Sequence, residues 1–190
     1  CCACDPFLTS DFRTFLEKGE QVVIGTAIIK QVLGVDKATI AIEDNKPEAI
    51  AHISEVLAAL KAKSPKFNGI EVLSLLKKYP EGGEKQLIDA VVGRQVPAPP
   101  ALPVSVGAII QNVGTAYAVY EAVMKNKPLF ERIVTVTGKK LKQPSNFLTR
   151  MGTPMSQLID ACGGLPEGEA KVIGGGPMMG KALVNIEVPI

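Results

Sequence analysis

Two short apolar runs, residues 37–42 and 70–76, are each followed by a polar loop and then by a stretch with helical periodicity. That order, strand, loop, helix, strand, loop, helix, is the rhythm of a parallel sheet whose strands are joined by crossover helices. It constrains the fold more than any other feature. In the first unit, Ile50, Ile53, Leu57 and Leu60 recur on one helical stripe behind Pro47, a residue suited to the first turn of a helix. In the second, Gly82 and Gly83 precede a helix expected over 84–92. Two further helices are expected upstream, over 9–17 and 20–33, the latter closed by Gly34. Residues 96–103 hold four prolines and read as a linker. A strand over 106–110 and a helix from 113 to 124 are expected beyond it.

The pattern changes near Glu131. Short strands over 132–137, 146–150 and 170–173 surround one helix over 154–161, which describes a small α+β module. The expected domains are therefore an α/β domain over 1–127 and a compact second domain over 128–190. Gly174-Gly-Gly-Pro-Met-Met-Gly180 lacks the Gly-Lys-Ser/Thr ending of a phosphate loop, and no helix pattern follows it. It reads as a tight loop where backbones approach closely.

In open parallel sheets, ligands bind beyond the carboxyl ends of the strands. The loops after the first two strands, residues 43–46 and 79–84, both carry carboxylates there, and their candidate polar groups are Glu43 and Asn45 in one and Glu84 in the other. Asp44 and Asn45 could instead cap the next helix, and Asn112 could cap the one after it. Glycines let the backbone approach a ligand, and a helix start offers free N–H groups. Gln111 and Asn112 supply amides at a third junction, and Asp5 a further carboxylate. Such groups suit hydrogen bonding to a heterocycle and a ribose, with the hard chemistry left to a cofactor.

Other chemistries fit poorly. His52 is the single histidine and sits off its helix's apolar stripe, where a solvent-facing position is expected. A Ser-His-Asp or Cys-His mechanism has no base to spare. A net charge of +2 gives no basis for nucleic-acid binding. No apolar run is long enough for a transmembrane helix, and no signal-peptide pattern opens the sequence, so a cytoplasmic location is expected. The opening Cys1-Cys-Ala-Cys4 is read either as a C-x-x-C pair, short of the four ligands a cluster needs, or as a buried strand end; no metal site is expected.

Ile42-Glu-Asp-Asn-Lys-Pro-Glu-Ala-Ile50, Lys78-Tyr-Pro-Glu-Gly-Gly-Glu-Lys-Gln-Leu-Ile88, Gln111-Asn-Val-Gly-Thr-Ala-Tyr117 and Gly174-Gly-Gly-Pro-Met-Met-Gly180 closely resemble the C subunit of the Rnf electron transport complex. Val134-Thr-Val-Thr-Gly138 and Gly152-Thr-Pro154 agree in order and spacing. The resemblance covers essentially the whole chain. More distantly the chain is similar to the flavin-bearing, NADH-oxidising subunit of respiratory complex I, and from about Glu131 onward to a soluble-ligand-binding β-grasp domain.

The resemblance implies an electron entry point. NADH would pass hydride to FMN, and electrons would move on singly to 4Fe-4S clusters outside this stretch, coupling NADH and ferredoxin to ion pumping. Partners would be the other Rnf subunits, on the cytoplasmic side of the bacterial inner membrane. Tyr79, Gly82, Gly83 and Glu84 would border flavin and nicotinamide, Gln111 and Asn112 would contact the flavin, and Asp5 would face NADH where the family usually carries glutamate. Asp5, Glu84 and Asn112 are thus expected to converge on one cleft. No upstream glycine-rich phosphate segment and no downstream cluster cysteines appear, so the chain is read as a middle fragment, inactive alone and a weak holder of FMN. A cobalamin reductase subunit of related build, or a non-catalytic interaction scaffold, are the alternatives.

Overall fold

The computed structural model describes residues 5–168 and 171–190, in two compact units. The first holds Asp11–Pro128; the second joins Asp5–Ser10 to Leu129–Ile190. The C-x-x-C pair at Cys1 and Cys4 lies outside the described residues.

In the first unit, α1 (Ser10–Glu17) and α2 (Gly19–Leu33) lead to β1 (Ala38–Glu43), α3 (Pro47–Lys63), β2 (Ile70–Leu75), α4 (Glu84–Val92) and α5 (Val113–Lys125). β1 and β2 pair in parallel, from Ala38 opposite Ile70 to Glu43 opposite Leu75. The burial of β1 rises along its length, and Ile40, Ala41, Ile42 and Glu43 are all buried. Such near-continuous burial is what a parallel strand under crossover helices requires. α3 turns Ala49, Ile53, Leu57 and Leu60 inward, onto a core that also holds Phe15, Val22, Val23, Ile42, Ile70, Val113 and Ala116. Gly34 ends α2 in the left-handed conformation at φ 63°, as a glycine cap does.

Three local expectations are corrected. Residues 106–110 form no strand: Pro103–Val106 is a 3-10 turn, which Pro103 opens and Gly107, at φ 72°, closes. A left-handed glycine directly after the turn prevents an extended run. The proline-rich stretch links no two units, since it lies inside the first, where Lys85 Nζ donates to the Pro97 carbonyl at 3.0 Å. His52 does not face solvent freely. It is half-buried, and a Cβ added at Gly19 would meet its Nε2 at 2.8 Å.

In the second unit, β3 (Glu131–Val136) and β4 (Ser145–Arg150) form an antiparallel pair, α6 (Met155–Ala161) follows, and β5 (Val172–Gly174) pairs antiparallel with β6 (Lys181–Leu183). The chain end closes over the head of α6: Met155 N donates to the Val188 carbonyl at 3.0 Å and Ser156 N to that of Ile186 at 2.9 Å. Leu158, Ile159 and Cys162 are buried beneath. Burial pushes the Cys162 thiol up, against a smaller downward pull from the Ser145 backbone, so this sulfur is a packing group.

Candidate functional site

The site is built where β1 and β2 end. The Asp44 amide donates to the Leu75 carbonyl at 2.7 Å, which carries the parallel ladder one step past β1. The Lys77 amide then donates to Asp44 Oδ1 at 3.0 Å. These two bonds fasten the loop after β1 to the loop after β2. Asp44 is therefore no helix cap, and neither is Asn45. The cap of α3 is Lys46, which makes no side-chain capping bond. Asn45 is exposed beside it.

Glu43 is the unusual member. Only 1% of it is exposed, and its Oε2 accepts from Lys46 Nζ at 2.5 Å. Its Oε1 is buried with no hydrogen-bond partner. Buried carboxylate oxygens are nearly always satisfied, so an open one asks for a donor.

The second loop folds as a compact turn. Glu81 N donates to the Lys78 carbonyl at 2.9 Å and Gly83 N to that of Pro80 at 2.8 Å. Tyr79 is half-exposed, with Lys77 Nζ 5.5 Å from its ring centre. Gly83 caps α4 with an extended backbone at φ −65° and ψ 136°. Left-handed geometry is thus not what the glycine supplies. Space is: an added Cβ would lie 2.5 Å from Gln86 Oε1 and 3.2 Å from the Pro80 carbonyl. Gly83 gives α4 no side-chain cap, and the first N–H groups of a helix have no partner within it. Glu84 stands exposed at that end.

Ile110 packs against the cluster of Ala41, Leu75 and Leu87, which brings the following Gln111 and Asn112 toward the same strand ends. Gln111 is exposed. Asn112 caps α5: its Oδ1 accepts from the Gly114 amide at 2.8 Å, and its Nδ2 donates to Asp11 Oδ2 at 2.9 Å. Replacing Asn112 by Ala removes both bonds, and thermal unfolding should register a loss of about 1 kcal/mol, the usual weight of such a cap.

Glu43, Asn45, Tyr79, Gly82, Gly83, Glu84, Gln111 and Asn112 thus belong to one unit. Asp5 belongs to the other, where its Oδ1 accepts from the Met178 amide at 3.1 Å and its Oδ2 would lie 2.4 Å from a Cβ at Gly176. Gly176 has φ 89°, so the glycine loop is a close-approach loop around a carboxylate. Sequence reasoning gave no role to Glu81, whose Oε2 is buried without a partner, or to Lys46. A carboxylate between Pro80 and Gly82 was the available signal. Among the described residues no cluster of His, Cys, Asp and Glu could hold a metal ion, and no helix is long and apolar enough to cross a membrane.

A parallel sheet with acidic and amide groups gathered at its strand ends defines a ligand-binding α/β module of the cofactor-handling kind. Residues 1–121, more than half of the chain, match the family described as Nuo51 FMN-binding domain. The chain belongs to that family. Residues 133–182 match the SLBB domain, the soluble-ligand-binding β-grasp module anticipated from the sequence.

The chain is 44% identical over 187 residues to the C subunit of the proton-translocating ferredoxin:NAD(+) oxidoreductase complex of Clostridium ljungdahlii, covering 98% of this chain and 39% of that protein. It is 39% identical to the C subunit of the Na(+)-translocating ferredoxin:NAD(+) oxidoreductase complex of Acetobacterium woodii, covering 98% and 40%. The chain therefore spans about two fifths of the length of these relatives. Among solved structures, an air-oxidized NAD+-reducing NiFe hydrogenase superposes with a TM-score of 0.76 at 21% identity, over 98% of this chain and 36% of that one. At that identity the likeness concerns the fold, an α/β sheet unit followed by a small sheet domain.

The acceptor set fits FMN in part. Glu43 Oε1 lacks a donor, and the flavin ring and its ribityl chain offer N–H and O–H groups. The open head of α4 suits an anionic or carbonyl edge.

Proposed function

We propose that this chain is the FMN- and NADH-binding stretch of the C subunit of an ion-translocating ferredoxin:NAD oxidoreductase complex of the Rnf type. It would be peripheral to the bacterial inner membrane on the cytoplasmic side, with the other Rnf subunits as partners. The names of its relatives favour this over a cobalamin reductase subunit or a scaffold. The observation that carries the reading is the buried, unpartnered Glu43 Oε1 at the end of β1, in a loop fastened to the turn that starts α4.

Glu43, held by Lys46, is a fixed acceptor for a flavin or ribityl donor. Asn45 and Glu84 offer exposed acceptors to the nicotinamide nucleotide, Tyr79 offers a ring face, and Gly82 and Gly83 keep the approach clear. Gln111 contacts the flavin edge, and Asn112, its amide oriented by Asp11, holds the head of α5 beside it. Asp5 enters the proposal from the resemblance alone, as a nicotinamide contact. Bound FMN supplies hydride acceptance from NADH and single-electron release. The 190 residues carry no C-x-x-C-x-x-C series, so onward transfer to iron–sulfur clusters is assigned to other parts of the protein, and the chain alone is inactive in electron transfer.

The test is an absorption spectrum of the full-length protein. Its flavin band should bleach when NADH is added under anaerobic conditions. A full-length protein with no flavin band, or one whose band NADH leaves unchanged, would overturn the proposal.

A further inference from the structure

Among the described residues, carboxylate oxygens that are buried without any hydrogen-bond partner occur at Glu43 and at Glu81. Glu43 has Lys46 for its other oxygen. For Glu81 no ion pair is found among those residues, although its backbone is well fixed by the bond from its amide to the Lys78 carbonyl. Closing a carboxylate oxygen away from both water and donors is unfavourable, and mutation can usually relieve it. A group kept in that condition at a ligand-binding edge signals a second state in which it is satisfied.

The turn over residues 78–83 can supply that state. Its short-range bonds are Glu81 N to Lys78 O and Gly83 N to Pro80 O, and the next residues are the uncapped head of α4. Tyr79, one side of the turn, is already half-exposed. We infer that Glu81 is a ligand-responsive residue. Its carboxylate, whose Oε2 is buried without a partner, turns to accept a hydrogen bond from bound flavin. The buried Oε2 is the acceptor that a flavin donor would satisfy. The inference rests on the FMN reading above and adds a residue and a movement to it.

The donor comes from one of two sources, a ribityl hydroxyl or the ring imide N–H. FMN carries both; lumiflavin keeps the imide and lacks the hydroxyls. Flavin fluorescence titrations of the full-length protein and of its Glu81→Met and Glu81→Gln variants, with melting curves of the ligand-free proteins, separate the possibilities. Methionine matches glutamate in size and needs no donor. Glu81→Met should melt about 2–4 °C higher than the parent while binding FMN about tenfold to a hundredfold more weakly, the weight of one hydrogen bond to a charged group.

Glu81→Gln, which retains one acceptor oxygen, should fall between. An accompanying loss for lumiflavin assigns the imide; a loss confined to FMN assigns the hydroxyls. Either supports the inference. A melting temperature that drops together with affinity would make Glu81 a structural support and overturn it, as would unchanged FMN binding in Glu81→Met. A full-length parent that binds no flavin would fail earlier, before any variant is made, and would remove the FMN reading itself.

Discussion

Replacing Gly25 by Val should destabilise the first unit by about 3 kcal/mol, near the upper end for an overpacked core. Gly25 is buried within α2, where a Cβ would lie 1.9 Å from the carbonyl oxygen of Ala116 and 2.7 Å from its carbonyl carbon. No side-chain rotamer relieves a clash with backbone. α2 and α5 would have to separate, and both helices bring residues to the same core, Val22 and Val23 from one and Val113 and Ala116 from the other. Gly25→Ala meets the same obstacle, offset by the gain of about 0.5–1 kcal/mol that alanine brings to a helix interior. Thermal denaturation followed by circular dichroism should show Gly25→Val melting about 6–12 °C lower. Ala51→Val, on the exposed face of α3, should cost no more than about 0.7 kcal/mol. Equal shifts for the two would mean that α2 and α5 do not pack at this distance.

The second large effect is an asymmetry within one ion pair. Lys46→Met should cost about 3 kcal/mol, whereas Glu43→Gln should cost about 1 kcal/mol. Glu43 is 1% exposed and Lys46 17%, so the two partners are not equivalent when stranded. Without the ammonium, a buried carboxylate remains with its Oε1 already lacking a donor. Without the carboxylate charge, the lysine keeps a route to water and the glutamine still fills the space. The measurement is urea unfolding of both variants. The reverse order would show that Glu43 is not held in a dry site, and with it would go the view of Glu43 as a fixed acceptor.

The parallel sheet was legible because two strands with continuous apolar faces were separated by helices whose stripes could be counted. Ile53, Leu57 and Leu60 are buried as their spacing predicts. What the sequence hid was mostly non-local. Asp44 reads as a helix cap in its own neighbourhood, yet its carboxylate accepts from Lys77, 33 residues away. Residues 106–110 read as a strand by composition, yet a 3-10 turn opened by Pro103 runs to Val106 and a left-handed Gly107 follows it. Gly83 reads as a place where the backbone can approach a ligand, whereas the space its missing side chain leaves is bordered by Gln86 and the Pro80 carbonyl.

The candidate site shows the same division. The loops were found because strand ends in parallel sheets are where ligands go, and residue types then picked out Glu43, Asn45 and Glu84. Burial without a partner has no sequence signature, which is why Glu81 went unnoticed. Asp5 gave no hint that its carboxylate would hold the Met178 amide across 173 residues.

The most direct test of the central claim is backbone amide exchange of the chain with and without FMN, resolved by peptide. Bound flavin should slow exchange at residues 43–46, at 77–86 around the head of α4, and at 111–114, and leave β3 and β4 unchanged. Slowing confined to the second unit, or no slowing at a saturating concentration of FMN, would show that the ends of β1 and β2 are not where flavin binds.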